Sequence, residues 1–320
     1  MTELERLTID KVKIPGVGKV TIEKLKNAGF TDLVSIAAAS PMELSVQTGI
    51  SETTAAKIIN AVREYLGFLD FETADKVLEK RQKVKKITTG SKNLDSILDG
   101  GIETGAITEV FGSFGSGKTQ LAHMLSITVQ LPPEQGGLGK PAVYIDAEGT
   151  FRPERIKEIC ENRGWEADQI LKNIYVVRVY SSDHQEAVLR KLEEKIRKGE
   201  IDPGLVVVDS IMTHLRAEYV GRGELAERQN KLKEHLNILK RIADVYNVAV
   251  LITNQVQARP DAIFGKPIDA VGGHVLAHAS TYRIWVRKAR EEKRIARIVD
   301  APHKPEIEAV FRITARGIED

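Results

Sequence analysis

The sequence predicts an α/β protein: a core with a mostly parallel, wound sheet built around a phosphate loop, preceded by a small all-helical domain and followed by an antiparallel extension. Three observations predict it. Strand-like and helix-like patterns alternate from about residue 86 onward, the signature of a wound sheet. The stretch Gly112-Ser113-Phe114-Gly115-Ser116-Gly117-Lys118-Thr119 reads G-x-x-x-x-G-K-T between a β-type run and a helical run. Downstream, Leu205-Val-Val-Val-Asp209 is an apolar strand that ends in an acid.

Composition narrows the class. A chain of 320 residues suits roughly two domains. Its 42% apolar residues can fill a core, and its net charge of +2 does not announce a polyanion-binding surface. Cys160 is the only cysteine, so no disulfide forms within the chain and a reducing, intracellular setting is expected. No apolar run reaches the ~18 residues of a membrane span. The stretch MTELERLTID lacks the apolar region of a signal peptide.

In chain order, residues 1–65 read as a helical domain. Ile14-Pro-Gly-Val-Gly18 sits between two helical stretches and resembles a helix-hairpin-helix turn, in which backbone N–H groups face a DNA phosphate with Lys19 nearby. Gly49-Ile-Ser51 reads as a degenerate second copy, with Ser51 as a cap for the helix after it. A hairpin used only for packing or protein contact stays open. Residues 66–85 read as a linker. It contains Phe71-Glu-Thr-Ala74 and the basic run Lys80–Lys86. On its own that F-x-x-A could pack on its own domain, and the basic run suits a solvated face.

Residues 86–320 read as the core. Glycines 112, 115 and 117 let the loop amides turn inward onto phosphate oxygens, and the helix that follows adds its positive end. That helix is expected over Gln120–Gln130, with Leu121, Met124, Leu125 and Val129 as its apolar side. Lys118 would reach the outer phosphates, and the Thr119 hydroxyl would ligate Mg2+ beside Asp209. Strand Ala142–Asp146 ends in Ala147-Glu148, where such sheets place their sites. A helix is expected from Pro153 to Arg163, a strand at 174–179, and a helix from Asp183 to Lys198 with Ala187, Val188, Leu192 and Ile196 as its stripe.

Two stretches break the pattern. Thr213–Glu224 carries Arg216, Arg222 and two glycines, and Val256–Ala277 carries Gly272 and Gly273. Both follow core strands and read as long loops, either functional or simply mobile. The tail reads as three antiparallel strands over 282–287, 294–299 and 309–313, with Asp300-Ala-Pro302 closing the second.

The order of GSFGSGKTQ, YIDAEGTFRPER, LVVVDS, GRGELAERQ, TNQV and GGHVLAHAS resembles the RecA/RadA family of DNA strand-exchange ATPases, over essentially the whole chain. The resemblance implies a RecA-like core that uses ATP and Mg2+. It implies filaments or rings of this chain on single-stranded and double-stranded DNA, a DNA-associated cytoplasmic location, and recombination mediators as possible partners. In that frame Phe71 and Ala74 dock into a neighbouring subunit. Glu148 activates the attacking water, or only makes a structural ion pair. Arg155 stacks on adenine, and Asp300 and Pro302 cap the neighbour's ATP. Gln255 senses the γ-phosphate, and His278 either joins that relay or is only structural. Arg216 and Arg222 contact DNA phosphates, and Gly272 and Gly273 let the backbone approach DNA. Three other classes stay open: a paralogue that only mediates assembly, a ring helicase, and a binding module without catalysis.

Overall fold

The computed structural model describes residues 8–258 and 268–320. The chain divides into two compact units, Met1–Lys83 with Lys191–Ile201, and Val84–Arg190 with Asp202–Asp320.

In the first unit, helices α1 (Lys19–Asn27), α2 (Leu33–Ala38), α3 (Pro41–Thr48) and α4 (Glu52–Tyr65) enclose a core of Leu25, Phe30, Leu33, Ile36, Leu44, Ile58 and Val62. Their ends are set by capping side chains: Asp32, Ser40 and, as expected, Ser51, whose Oγ accepts from the Thr54 amide at 3.2 Å. Gly16 takes φ +80°, which bends the first hairpin into α1. Helix α5 (Ala74–Gln82) forms inside the stretch read as a linker, and none of its residues is buried.

The second unit opens with the ribbon β1 (Lys86–Ile87) and β2 (Ile102–Glu103), joined through α6 (Lys92–Ile97). Strands β3 (Ile107–Gly112), β4 (Ala142–Asp146), β5 (Ile174–Arg178), β6 (Leu205–Asp209), β7 (Ala249–Ala258) and β8 (Ile268–Ala270) alternate with α7 (Lys118–Thr128), α8 (Pro153–Arg163), α9 (Ala167–Lys172), α10 (Ser182–Arg197), α11 (Thr213–Glu218) and α12 (Leu225–Tyr246). Helix α13 (Gly273–Ala279) then leads to β9 (Tyr282–Lys288), β10 (Lys293–Asp300), β11 (Ile307–Thr314) and β12 (Gly317–Glu319). The sheet order is β12-β11-β10-β9-β3-β7-β6-β4-β5, with β8 paired to β7. From β9 to β5 neighbouring strands are parallel, and from β9 to β12 antiparallel. Strand β9, read as part of the antiparallel tail, is therefore the hinge between both patterns. The central strands β3, β4 and β6 are buried along their whole length, which matches their unbroken apolar runs.

Three sequence expectations need correction. Helix α7 begins at Lys118, and all of Leu121–Thr128 is buried, so it has no apolar stripe but an apolar surround that takes in His123. In α10 the buried positions are Ser182, Gln185, Leu189, Leu192, Glu193, Ile196 and Arg197, while Ala187 is exposed; the stripe is displaced in its first turns. The two irregular stretches are not loops throughout. The first holds α11, whose Leu215 is buried, and a 3-10 turn at Arg222–Glu224. The second continues β7 and holds β8 and the start of α13, with residues 259–267 outside the described ones.

Candidate active site

Four parallel strands deliver their carboxyl ends to one place. Register pairs Gly112 with Gln255 across β3 and β7, and Asp146 with Asp209 across β4 and β6. Gly112 is required there: a Cβ would stand 2.2 Å from the Val286 carbonyl oxygen and 2.7 Å from Ser116 Oγ. Gly117 takes φ +112° and would meet Ile313 at 2.6 Å. It is also the N-cap of α7 and has no side chain to accept from the first-turn amides. An uncapped helix start with inward amides takes an anion. Ser116 Oγ is buried beneath it without a hydrogen-bond partner. Phe114, by contrast, points into solvent.

Lys118 folds back onto the loop, donating to the carbonyl oxygens of Gly112 (3.0 Å) and Ser113 (3.1 Å). Burial lowers its pKa, and the negative charges of Glu148 and Asp209 oppose that. Thr119 Oγ1 donates to Asp209 Oδ2 at 2.9 Å. Asp209 is 1% exposed, and burial raises its pKa against hydrogen bonds from Thr253, Tyr144 and Thr119.

Glu148 sits on a turn built by its neighbour. Asp146, itself buried, accepts from the amides of Gly149 (2.7 Å), Thr150 (3.1 Å) and Phe151 (3.4 Å), and Arg178 lies 3.4 Å away. Glu148 Oε1 accepts from Ser210 Oγ (2.9 Å), Thr213 Oγ1 (3.2 Å) and Gln255 Nε2 (3.2 Å). The other end of the same amide accepts from Arg216 Nη1 at 3.2 Å. Arg155, in the first turn of α8, donates to Gln120 on α7 (2.8 Å) and to Glu158 (2.6 Å), which fixes its guanidinium beside the phosphate-loop helix.

Of the residues read from sequence, 112–119, Glu148, Arg155, Asp209, Gln255 and Arg216 come together. Asp300 and Pro302 do not. Arg294, at the start of β10, lies beside Gly117, whereas Asp300 pairs with Arg283 at the strand's other end. Six residues of strand separate the two by roughly 20 Å. Asp300 and Pro302 instead line a cavity of about 340 Å3 with Lys240, Asp244 and His278. His278 is thus with Asp300, while the partners of Gln255 are Glu148, Arg216 and Asn254. Gly272 opens α13 at φ +103°, and its carbonyl accepts from Gln229, so that glycine has a backbone reason to be there; Gly273, at φ +61°, follows it. The side chain of Arg222 lies outside the described atoms. Phe71 is fully exposed, and Ala74 begins α5.

Sequence reasoning missed Tyr144, Thr253, Asp146 and Ser210. The first two carry a signal in retrospect: hydroxyls inside otherwise apolar strands have to find partners.

Residues 80–320 match the Rad51 family, and residues 8–64 match the SAM-like helix-hairpin-helix tandem. A curated relative from Aeropyrum pernix, named DNA repair and recombination protein RadA, is 53% identical over all of this chain and 99% of its own length. By the extent of both matches, this chain belongs to the Rad51 family.

Proposed function

We propose that this chain is a DNA-dependent ATPase that forms filaments on single-stranded DNA and exchanges strands between homologous duplexes. The observation that carries the reading is one hydrogen-bonded path. It runs from Arg216, in helix α11, through Gln255 to Glu148 beside the phosphate loop. Family membership and the relative's name support the same reading.

ATP suits the loop, whose uncapped amides and Lys118 are matched to phosphate. Thr119 offers a hydroxyl with the Asp209 carboxylate behind it, a set that suits Mg2+ completed by phosphate oxygens and water. Such a cation would neutralise charge on the transferred phosphoryl group. Glu148 orients a water and takes its proton, and Gln255 reports an occupied γ-phosphate position to Arg216. Arg155 lies against adenine.

Copies of the chain complete each other's sites. Asp300 and Pro302 lie too far from their own phosphate loop to touch its nucleotide, which suits a cap over a neighbour's. Phe71 is exposed, and β5 is an open sheet edge with exposed Tyr175 and Val176, a place for an extended segment of another copy. Burying Phe71 there contributes about 1.5–3 kcal/mol per contact. Arg216, Arg222 and Lys19 contact backbone phosphates, and the second irregular stretch lies along DNA at Gly272 and Gly273. Recombination mediators are the further partners that this reading allows. No described helix is long and apolar enough to cross a membrane. The DNA-associated cytoplasmic setting follows from the proposed work on DNA.

The test is strand exchange with ATP and Mg2+ by wild type, Lys118→Ala and Arg222→Ala. Wild type pairs homologous strands and the variants do not. A wild type that hydrolyses ATP on DNA but never pairs homologous strands overturns the reading. Light scattering of Phe71→Ala should show smaller assemblies than wild type.

A further inference from the structure

Asp209 is buried, and each of its oxygens is taken by hydroxyls from different elements. Tyr144 on β4 donates to Oδ2 at 2.6 Å, and Thr253 on β7 donates to Oδ1. Thr119 on α7 shares Oδ2 at 2.9 Å. Strands β4 and β7 flank β6 on its two sides, so the carboxylate is held from left and right within the sheet. Tyr144 cannot swing away. It is fully buried, with the Phe151 ring at 4.9 Å and the His123 ring at 5.8 Å. Thr253 is fixed as well, because its carbonyl accepts from the Ile211 amide at 3.2 Å just beyond Asp209.

An ionised carboxylate has about four acceptor positions. With two hydroxyls on Oδ2, that oxygen is full. It does not bind a cation without giving up a donor, so Asp209 acts through the Thr119 hydroxyl. With its proton on Asp209, Thr119 keeps its remaining lone pairs free for another partner. The direction of those lone pairs depends on where the carboxylate plane stands, and two hydroxyls set that plane.

We propose that Tyr144 and Thr253 are positioning residues for the metal–nucleotide site: they fix the Asp209 carboxylate so that Thr119 presents its oxygen to a divalent cation. The inference rests on the nucleotide reading above. Neither residue touches the nucleotide or the cation.

The test is nucleotide affinity, measured with a fluorescent ATP analogue in EDTA and across a Mg2+ titration. Wild type is compared with Tyr144→Phe, Thr253→Val and Thr253→Ser, and thermal midpoints are recorded beside them. In EDTA all four should bind within about twofold of each other, since the phosphate amides and Lys118 are untouched. The Mg2+-dependent gain should fall about tenfold in Tyr144→Phe and in Thr253→Val, the size expected for losing one hydrogen bond to a charged group. Thr253→Ser should recover it, because the hydroxyl returns. Lowered thermal midpoints with an undiminished Mg2+ gain would show a purely structural role and overturn the proposal. The two sites test it independently, so misfolding of one variant leaves the other to decide. A wild type whose affinity ignores Mg2+ removes the metal reading itself, and the proposal with it. Equal Mg2+ gains in wild type and variants remove the proposal alone.

Discussion

Two carboxylates serve the same sheet end in opposite ways. Asp209 is locked by strands: its donors sit on β4, β7 and the first turn of α7, all within the buried core. Glu148 is held by Ser210 just past β6, by Thr213 at the start of α11 and by Gln255 on β7, with Arg216 behind. The first environment keeps a charge in one place. The second lets a charge respond when a distant side chain moves. A switch needs both, since only a movable group referenced to a fixed one can report a change.

The sharpest break of this comparison is Glu148→Gln. Removing a positioned base costs about 10²–10⁴ in rate. Hydrolysis should fall by that factor while nucleotide affinity in Mg2+ stays within about threefold. A collapse of affinity would make Glu148 a structural anchor like Asp209.

Acid should distinguish the two environments next. His123 packs on Tyr144 behind Asp209, and burial, with Arg155 and Arg152 nearby, lowers its pKa to about 4. Its native pKa lies below the unfolded value of 6.5, so the unfolded chain takes up a proton first. Stability is therefore full above pH 6.5 and declines as pH falls toward 4, by about 3 kcal/mol for this residue. Denaturant midpoints across that range should show the decline in wild type and less of it in His123→Phe. An unchanged slope would place the acid sensitivity elsewhere, for instance at His235, which burial also lowers to about 4.

The responsive side is tested by a double-mutant cycle on DNA-stimulated ATP hydrolysis. Residues in one hydrogen-bonded path couple by about 0.5–3 kcal/mol. Arg216→Ala and Gln255→Ala should therefore be non-additive. Strict additivity would make their contact incidental.

The smallest effect expected is also the most counterintuitive. Burial raises the pKa of Asp209, so at neutral pH its charge costs the folded chain stability. Asp209→Asn should raise the thermal midpoint of the nucleotide-free protein. Glu148→Gln should leave that midpoint unchanged. A lowered midpoint for Asp209→Asn would mean that the hydroxyl donors outweigh desolvation.

Much of this was legible in the chain itself. The phosphate loop, the acid at the end of β6 and the alternation of strands and helices are local patterns, written in spacing and in runs of buried residues. Element edges were less legible. The stripe of α10 was displaced because Ala187 and Gln185 trade places between surface and core, which residue type alone does not signal. The irregular stretches looked unstructured because α11 is short and buries a single leucine.

Partnership could not be read at all. Tyr144 lies 65 residues from Asp209 and Thr253 lies 44 away, and they meet because the strand order puts β4 and β7 on either side of β6. The same order, with β10 antiparallel to β9, carries Asp300 to the end of the sheet away from the loop it resembles a cap for. Sequence determined which groups exist and which local conformations present them, because turns, caps and buried runs depend on near neighbours. Tertiary structure decided which carboxylate is fixed and which is free to respond, because that depends on neighbours the chain brings together only through the sheet.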